Sequence, residues 1–118
     1  MMNSLLRSAC GLMACVAILR AEPTHLALVE SADAITVSYA DSPILTYHKA
    51  VVPAPAGTSD LYRRSGFIHP LHAPGGGVVT SIHAPDHYHH MGLWHAWVHT
   101  EFRGRAVDFW NVKDNTGF

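Results

Sequence analysis

Eight of the ten histidines in this 118-residue sequence lie between His69 and His99, and the densest run is Asp86-His87-Tyr88-His89-His90. Imidazole is the side chain whose ordinary pKa, about 6.5, suits proton transfer near neutral pH, and it is also the commonest metal ligand. Both uses require several rings to converge. On an extended segment His87 and His89 point to one side, close enough to share a ligand or a metal ion, while His90 points away. His95 and His99 would stand about 13 Å apart on a strand, at roughly 3.3 Å per residue, too far to share a metal. The plainer alternative is a set of polar surface histidines together with hydrogen-bonded core ones, and for any single residue it carries equal weight.

The elements that must position these groups read as strands and turns. Ile35, Val37 and Tyr39 alternate with Thr36 and Ser38. A turn at Ala40-Asp41-Ser42-Pro43 follows, and Ile44, Thr46 and His48 then face opposite to Leu45 and Tyr47, which predicts a hairpin. Val52-Pro53-Ala54-Pro55-Ala56-Gly57 predicts an extended surface connection, because proline excludes helix there. Leu61 to His69 reads as extended again, with Pro70 ending it. Pro74-Gly75-Gly76-Gly77 predicts a turn into the β-branched run Val78-Val79-Thr80-Ser81-Ile82. That glycine triplet is no phosphate loop, since the Lys-Ser/Thr and the helix that a phosphate loop requires are missing.

Gly92 to Phe102 predicts one further strand. Trp94, Ala96, Val98, Thr100 and Phe102 would form its core face, and Leu93, His95, Trp97, His99 and Glu101 the other. The second face holds two imidazoles, an indole and a carboxylate, which looks like the floor of a site. Arg103-Gly104-Arg105 predicts a turn, and Ala106 to Val112 a last strand containing Phe109 and Trp110. For Trp94, Trp97 and Trp110 a core role is expected for at least two. Arg63-Arg64 reads more readily as a solvated pair than as an anion clamp.

Residues 1–21 have the outline of a secretory signal peptide: a short basic start through Arg7, an apolar run from Ser8 to Leu19, and Ala21 ahead of Glu22-Pro23. The run falls short of the roughly 20 apolar residues that a spanning helix needs, so the expected product is exported, periplasmic or extracellular, with no membrane span in the mature chain. A copper site on an amino-terminal His25 would require cleavage after Thr24, with Glu22 at a position that signal peptidase disfavours. Cys10 and Cys15 both fall in the leader. The domain expected at 22–118 therefore has no disulfide, thiolate metal site or cysteine nucleophile. Formal charge is −1 for the whole sequence. Loss of Arg7 and Arg20 with the leader makes the rest more acidic, and no basic patch points to nucleic acid.

Asp86-His87-Tyr88-His89-His90-Met91-Gly92-Leu93-Trp94, followed by Asp108-Phe109-Trp110, resembles a family of exported bacterial proteins labelled methane oxygenase PmoA, whose biochemical role is unassigned. Arg63-Arg64-Ser65-Gly66-Phe67-Ile68-His69-Pro70 and Leu45-Thr46-Tyr47-His48 extend the resemblance, which runs from about Ile44 to Asn111. Met91 departs from it, standing where the family often has arginine. The resemblance implies an all-β fold, an antiparallel β-sandwich of mutarotase-like type. Members of that family are longer, so residues 22–118 would be its amino-terminal part and the sandwich incomplete.

The site and the resemblance together predict an exported protein that binds or processes a sugar or other small carbohydrate-type molecule through histidine acid–base chemistry, with no cofactor required. His87 and His89 are the expected central pair, His69 a third group from the preceding strand, and Asp86 the residue that orients them. Arg64, His90, His95 and Trp97 are the expected binding residues, Trp97 by stacking on an apolar sugar face. The alternatives are a copper, iron or zinc protein in which His87, His89 and one more histidine ligate the metal, and a non-enzymatic binding module. A cupin-type metal site matches poorly, because Leu93 and Trp94 stand where its glutamate would be needed.

Overall fold

The computed structural model describes residues 25–117, so the expected signal peptide lies outside the described residues. The fold is all-β and antiparallel. Strands β1 (Leu26–Glu30), β2 (Ala34–Tyr39), β3 (Ser42–His48), β4 (Phe67–Leu71) and β7 (Leu93–Trp94) form one sheet in the order β1-β2-β3-β4-β7. Two small ladders complete it, β5 (Ile82–Ala84) with β6 (His87–Met91), and β8 (Thr100–Phe102) with β9 (Arg105–Val107). Among the described residues the only helical turns are short 3₁₀ segments at Asp60–Tyr62 and Val112–Asp114. The arrangement is that of an incomplete antiparallel sandwich, a five-stranded sheet with two separate two-stranded ladders.

The predicted hairpin forms as β2 and β3, with Tyr39 opposite Ser42. Its turn is tighter than expected. Ala40 and Asp41 alone make it, both with positive φ (45° and 64°), the backbone that matches the right-handed twist of the strands. Pro43 lies inside β3 at a register shift, opposite Ser38. Pro70 likewise does not end its segment. It sits within β4, near the register shift between the Leu45–Leu71 and Tyr47–Ile68 pairs. A residue with no N–H can stay in a strand where the ladder skips a bond.

Burial rises along the sheet. β1 is exposed throughout, whereas the apolar core gathers at the other end in Phe67, Met91, Val107 and Val112. Phe67 is opposite both His48 and Trp94, and its ring stacks on the His48 imidazole at 4.6 Å. β6 lies against β4 at this end. The core therefore sits directly beneath the histidine run.

The predicted long strand from Gly92 to Phe102 is broken. Only Leu93–Trp94 joins the sheet, residues 95–99 are irregular, and Thr100–Phe102 pairs with β9 instead. The expected core face is therefore not one: Phe102 is 54% exposed and carries the Arg103 guanidinium over its ring, and Val98 is also exposed. The predicted strand from Ala106 to Val112 ends at Val107, and Phe109 and Trp110 lie in a bend. Val78–Ser81 is extended but joins the structure only through the Val78–His72 bridge and single bonds. These shortfalls have one cause. Alternation describes a strand that has a neighbour along its whole length, and each of these segments has one along only part of it.

Candidate functional site

The histidine run is carried on a distorted hairpin. Pro85-Asp86 makes the turn between β5 and β6, and Asp86 Oδ2 lies 3.1 Å from Nδ1 of His87. That contact is the largest cause holding the Asp86 carboxyl below its ordinary pKa. From the Ala84–His87 pair to the Ile82–Met91 pair, β5 advances by two residues and β6 by four. The extra length bows β6 out of the ladder, and His83 takes a positive φ of 53° opposite it.

The bow corrects the expectation for His90. It does not point away. Its ring stacks on His87 at 4.8 Å and meets His89 edge-on at 4.4 Å, while His87 and His89 are 5.7 Å apart. Period-two alternation holds only for a regular ladder, and here the ladder is interrupted at the residues concerned. The same geometry bears on metal binding. Imidazole lone pairs lie in the ring planes, so rings that stack do not aim at one point. Among the described residues no group of three or more His, Cys, Asp or Glu is arranged to hold a metal ion.

Two tryptophans close the cluster. Trp94, on β7, lies 5.4 Å from the His90 ring and stacks on Trp110 at 6.0 Å and 20°. Trp110 also meets both His89 and His90 at 5.3 Å. A local latch holds Trp110 in place: Asp108 accepts from the backbone N–H of Trp110 and of Asn111 and from the Asn111 side-chain amide, at 2.7–2.8 Å. These bonds hold the Asp108 carboxyl below its ordinary pKa. A longer tether comes from Arg64, which donates through Nη1 to the Gly117 carbonyl at 2.9 Å and through Nη2 to the Phe109 carbonyl at 3.3 Å. Arg64 is buried, against the expectation of a solvated pair; Arg63 is exposed and pairs with Asp60. Inside the nest, His89 Nε2, His90 Nε2 and Trp94 Nε1 are buried without a hydrogen-bond partner.

The expected site residues divide between two clefts. Arg64, His95 and Trp97 line a cleft of about 530 Å³ together with Tyr47, Trp94 and Phe109. Asp86, His87 and His89 line another, of about 450 Å³, with Trp110 and Lys113. The stacked Trp94 and Trp110 rings, one in each lining, connect the two. His69 lies apart: its Nδ1 is 2.9 Å from Thr80 Oγ1, and its carbonyl oxygen is 2.7 Å from His48 Nε2. Tyr47, Trp94, Phe109 and Trp110 join the site without being among the residues expected there. The signal for Trp110 was Asp108 with Asn111 three residues on, a pairing that side-chain capping of a turn favours.

A family model matches residues 34–117. The chain belongs to DUF6807, a family of unknown function. Both clefts of this DUF6807 chain are built from residues inside that span. No curated protein and no solved structure matches the chain.

Protonation sets a testable limit on the site. Burial, then the neighbouring His90 and His87, pushes the His89 pKa below its ordinary value, and burial followed by His48 and His72 does the same to His69. A histidine lowered in the folded state binds fewer protons than it does unfolded, so stability is full above about pH 6.5 and falls as the pH drops through the lowered value. Thermal midpoints should therefore decline already between pH 7 and 5, before the Asp86 and Asp108 carboxylates titrate. His89→Gln should flatten that part of the profile. A wild-type midpoint that stays level to pH 5 would contradict this.

Proposed function

We propose that this is an exported protein that binds a carbohydrate-type ligand in the aromatic cleft. The cleft itself carries the reading. At about 530 Å³ with Tyr47, Trp94, Trp97 and Phe109 in its lining, it falls in the size range of small-ligand sites, roughly 300–1,000 Å³. Trp97 is 60% exposed, an indole face open to stack on the apolar side of a sugar ring. His95 lies beside it, 5.2 Å between ring centres, and offers ring nitrogens to hydroxyl groups. The resemblance to the exported family labelled methane oxygenase PmoA belongs to the same reading, because its motif residues, Asp86 to Trp94 and Asp108 to Trp110, include those that build the nest beside the cleft.

Calorimetric titration of a panel of oligosaccharides should yield at least one ligand, and Trp97→Ala should weaken it by about tenfold or more, roughly 1.4 kcal/mol. The thermal midpoint of that variant should stay within about 2 °C of the wild type, since an exposed side chain contributes little to folding. No binding across the panel, or unchanged affinity in Trp97→Ala, would refute the proposal.

The Asp86–His87 contact favours a second reading, in which the ligand is also processed. A carboxylate on Nδ1 fixes the imidazole tautomer and leaves Nε2 to exchange a proton, the arrangement of a general base. His87→Ala should then abolish turnover while leaving ligand binding in the aromatic cleft intact.

A further inference from the structure

Among the described residues, Arg64 is the buried charged side chain, 9% exposed. Burying a guanidinium is costly unless something of opposite charge faces it. Its partners are the Gly117 and Phe109 carbonyl oxygens, both neutral, which take two of its N–H groups. A guanidinium has five such donors. Among the described residues the ion pairs are Lys49–Glu30, Arg63–Asp60 and His87–Asp86, and none involves Arg64. Burial alone pushes its pKa down, with no carboxylate acting against it.

Arg64 also lines the aromatic cleft, and that lining contains Arg63 and His95 but neither aspartate nor glutamate. The cleft thus combines aromatic faces with a desolvated cation whose compensating charge none of the described residues supplies. Fork-shaped donation to a pair of anionic oxygens is what guanidinium does best. We infer that the ligand of this cleft is an acidic sugar, whose ring stacks on Trp97 while its anionic substituent, a carboxylate or a sulfate, meets Arg64. The inference rests on the carbohydrate reading above and deepens it.

The test titrates the full chain with trigalacturonate, with its fully methyl-esterified form and with a sulfated galacto-oligosaccharide. The acid should bind about ten times tighter than the ester in low salt, and the advantage should shrink in 0.5 M sodium chloride as screening grows. The sulfated sugar binding in place of the uronate would support the inference and name sulfate as the anion. Arg64→Gln should bind acid and ester alike. Should that variant fail to fold, because Arg64 also ties the Phe109–Gly117 segment, the acid-to-ester ratio and its salt dependence in the wild type still decide. Equal affinity for acid, ester and sulfate overturns the inference while leaving carbohydrate binding standing. Absence of binding by all of them, and by neutral sugars, overturns both.

Discussion

Phe67→Ala should lower the stability of the domain by about 3 to 5 kcal/mol, the usual cost of truncating a buried aromatic. Phe67 is fully buried, stacks on His48 and pairs across the sheet with Trp94. Among the described residues only Met91, Val107 and Val112 share its class of buried apolar side chain, so little else can close the cavity. Small domains have roughly 5 to 15 kcal/mol in total, and the variant should be partly unfolded at 37 °C. Phe102→Ala is the matched control. Its ring is 54% exposed, and its loss should cost under about 1 kcal/mol. Urea midpoints of the two variants would check the pair. Similar losses in both would mean that the core does not centre on Phe67.

Gly92→Ala should be the most damaging glycine replacement in the hairpin region. Gly92 has φ +56° and lies where a Cβ would stand 2.2 Å from the Ile68 carbonyl oxygen and 3.1 Å from the His69 Cβ. The first of these neighbours is backbone in β4 and cannot rotate aside. The methyl would have to push β7 off β4, and Trp94 would leave its stack on Trp110 with it. A loss above about 2 kcal/mol is expected, from the left-handed backbone and the clash together. Gly104→Ala separates the two causes: φ there is +73° but no atom lies within 4 Å of the added carbon, so only the backbone term of about 1–2 kcal/mol applies. Thermal melts and the near-ultraviolet circular dichroism of the paired indoles would show both effects. Equal losses at the two glycines would mean that close packing of β7 on β4 is not what demands Gly92.

The sequence by itself determined the β class, the Ala34–His48 hairpin and the concentration of imidazoles around His87. Each of these depends on neighbours close in the chain: alternating β-branched and aromatic residues, a turn that tolerates positive φ, and the chemistry of the residue types themselves. It also placed Asp86 beside His87, since adjacent residues can meet without long-range help. Which groups share a cleft was decided only in three dimensions. His90 joins His87 and His89 because β6 carries residues that β5 does not match, a property of the pair of strands and invisible in either one. Arg64 is buried because carbonyls 45 and 53 residues away come to meet it. Phe102 is exposed and Trp97 opens into a cleft because the run after Trp94 loses its neighbouring strand. Alternation tells which residues share a face, and only the pairing of distant segments decides whether that face is covered.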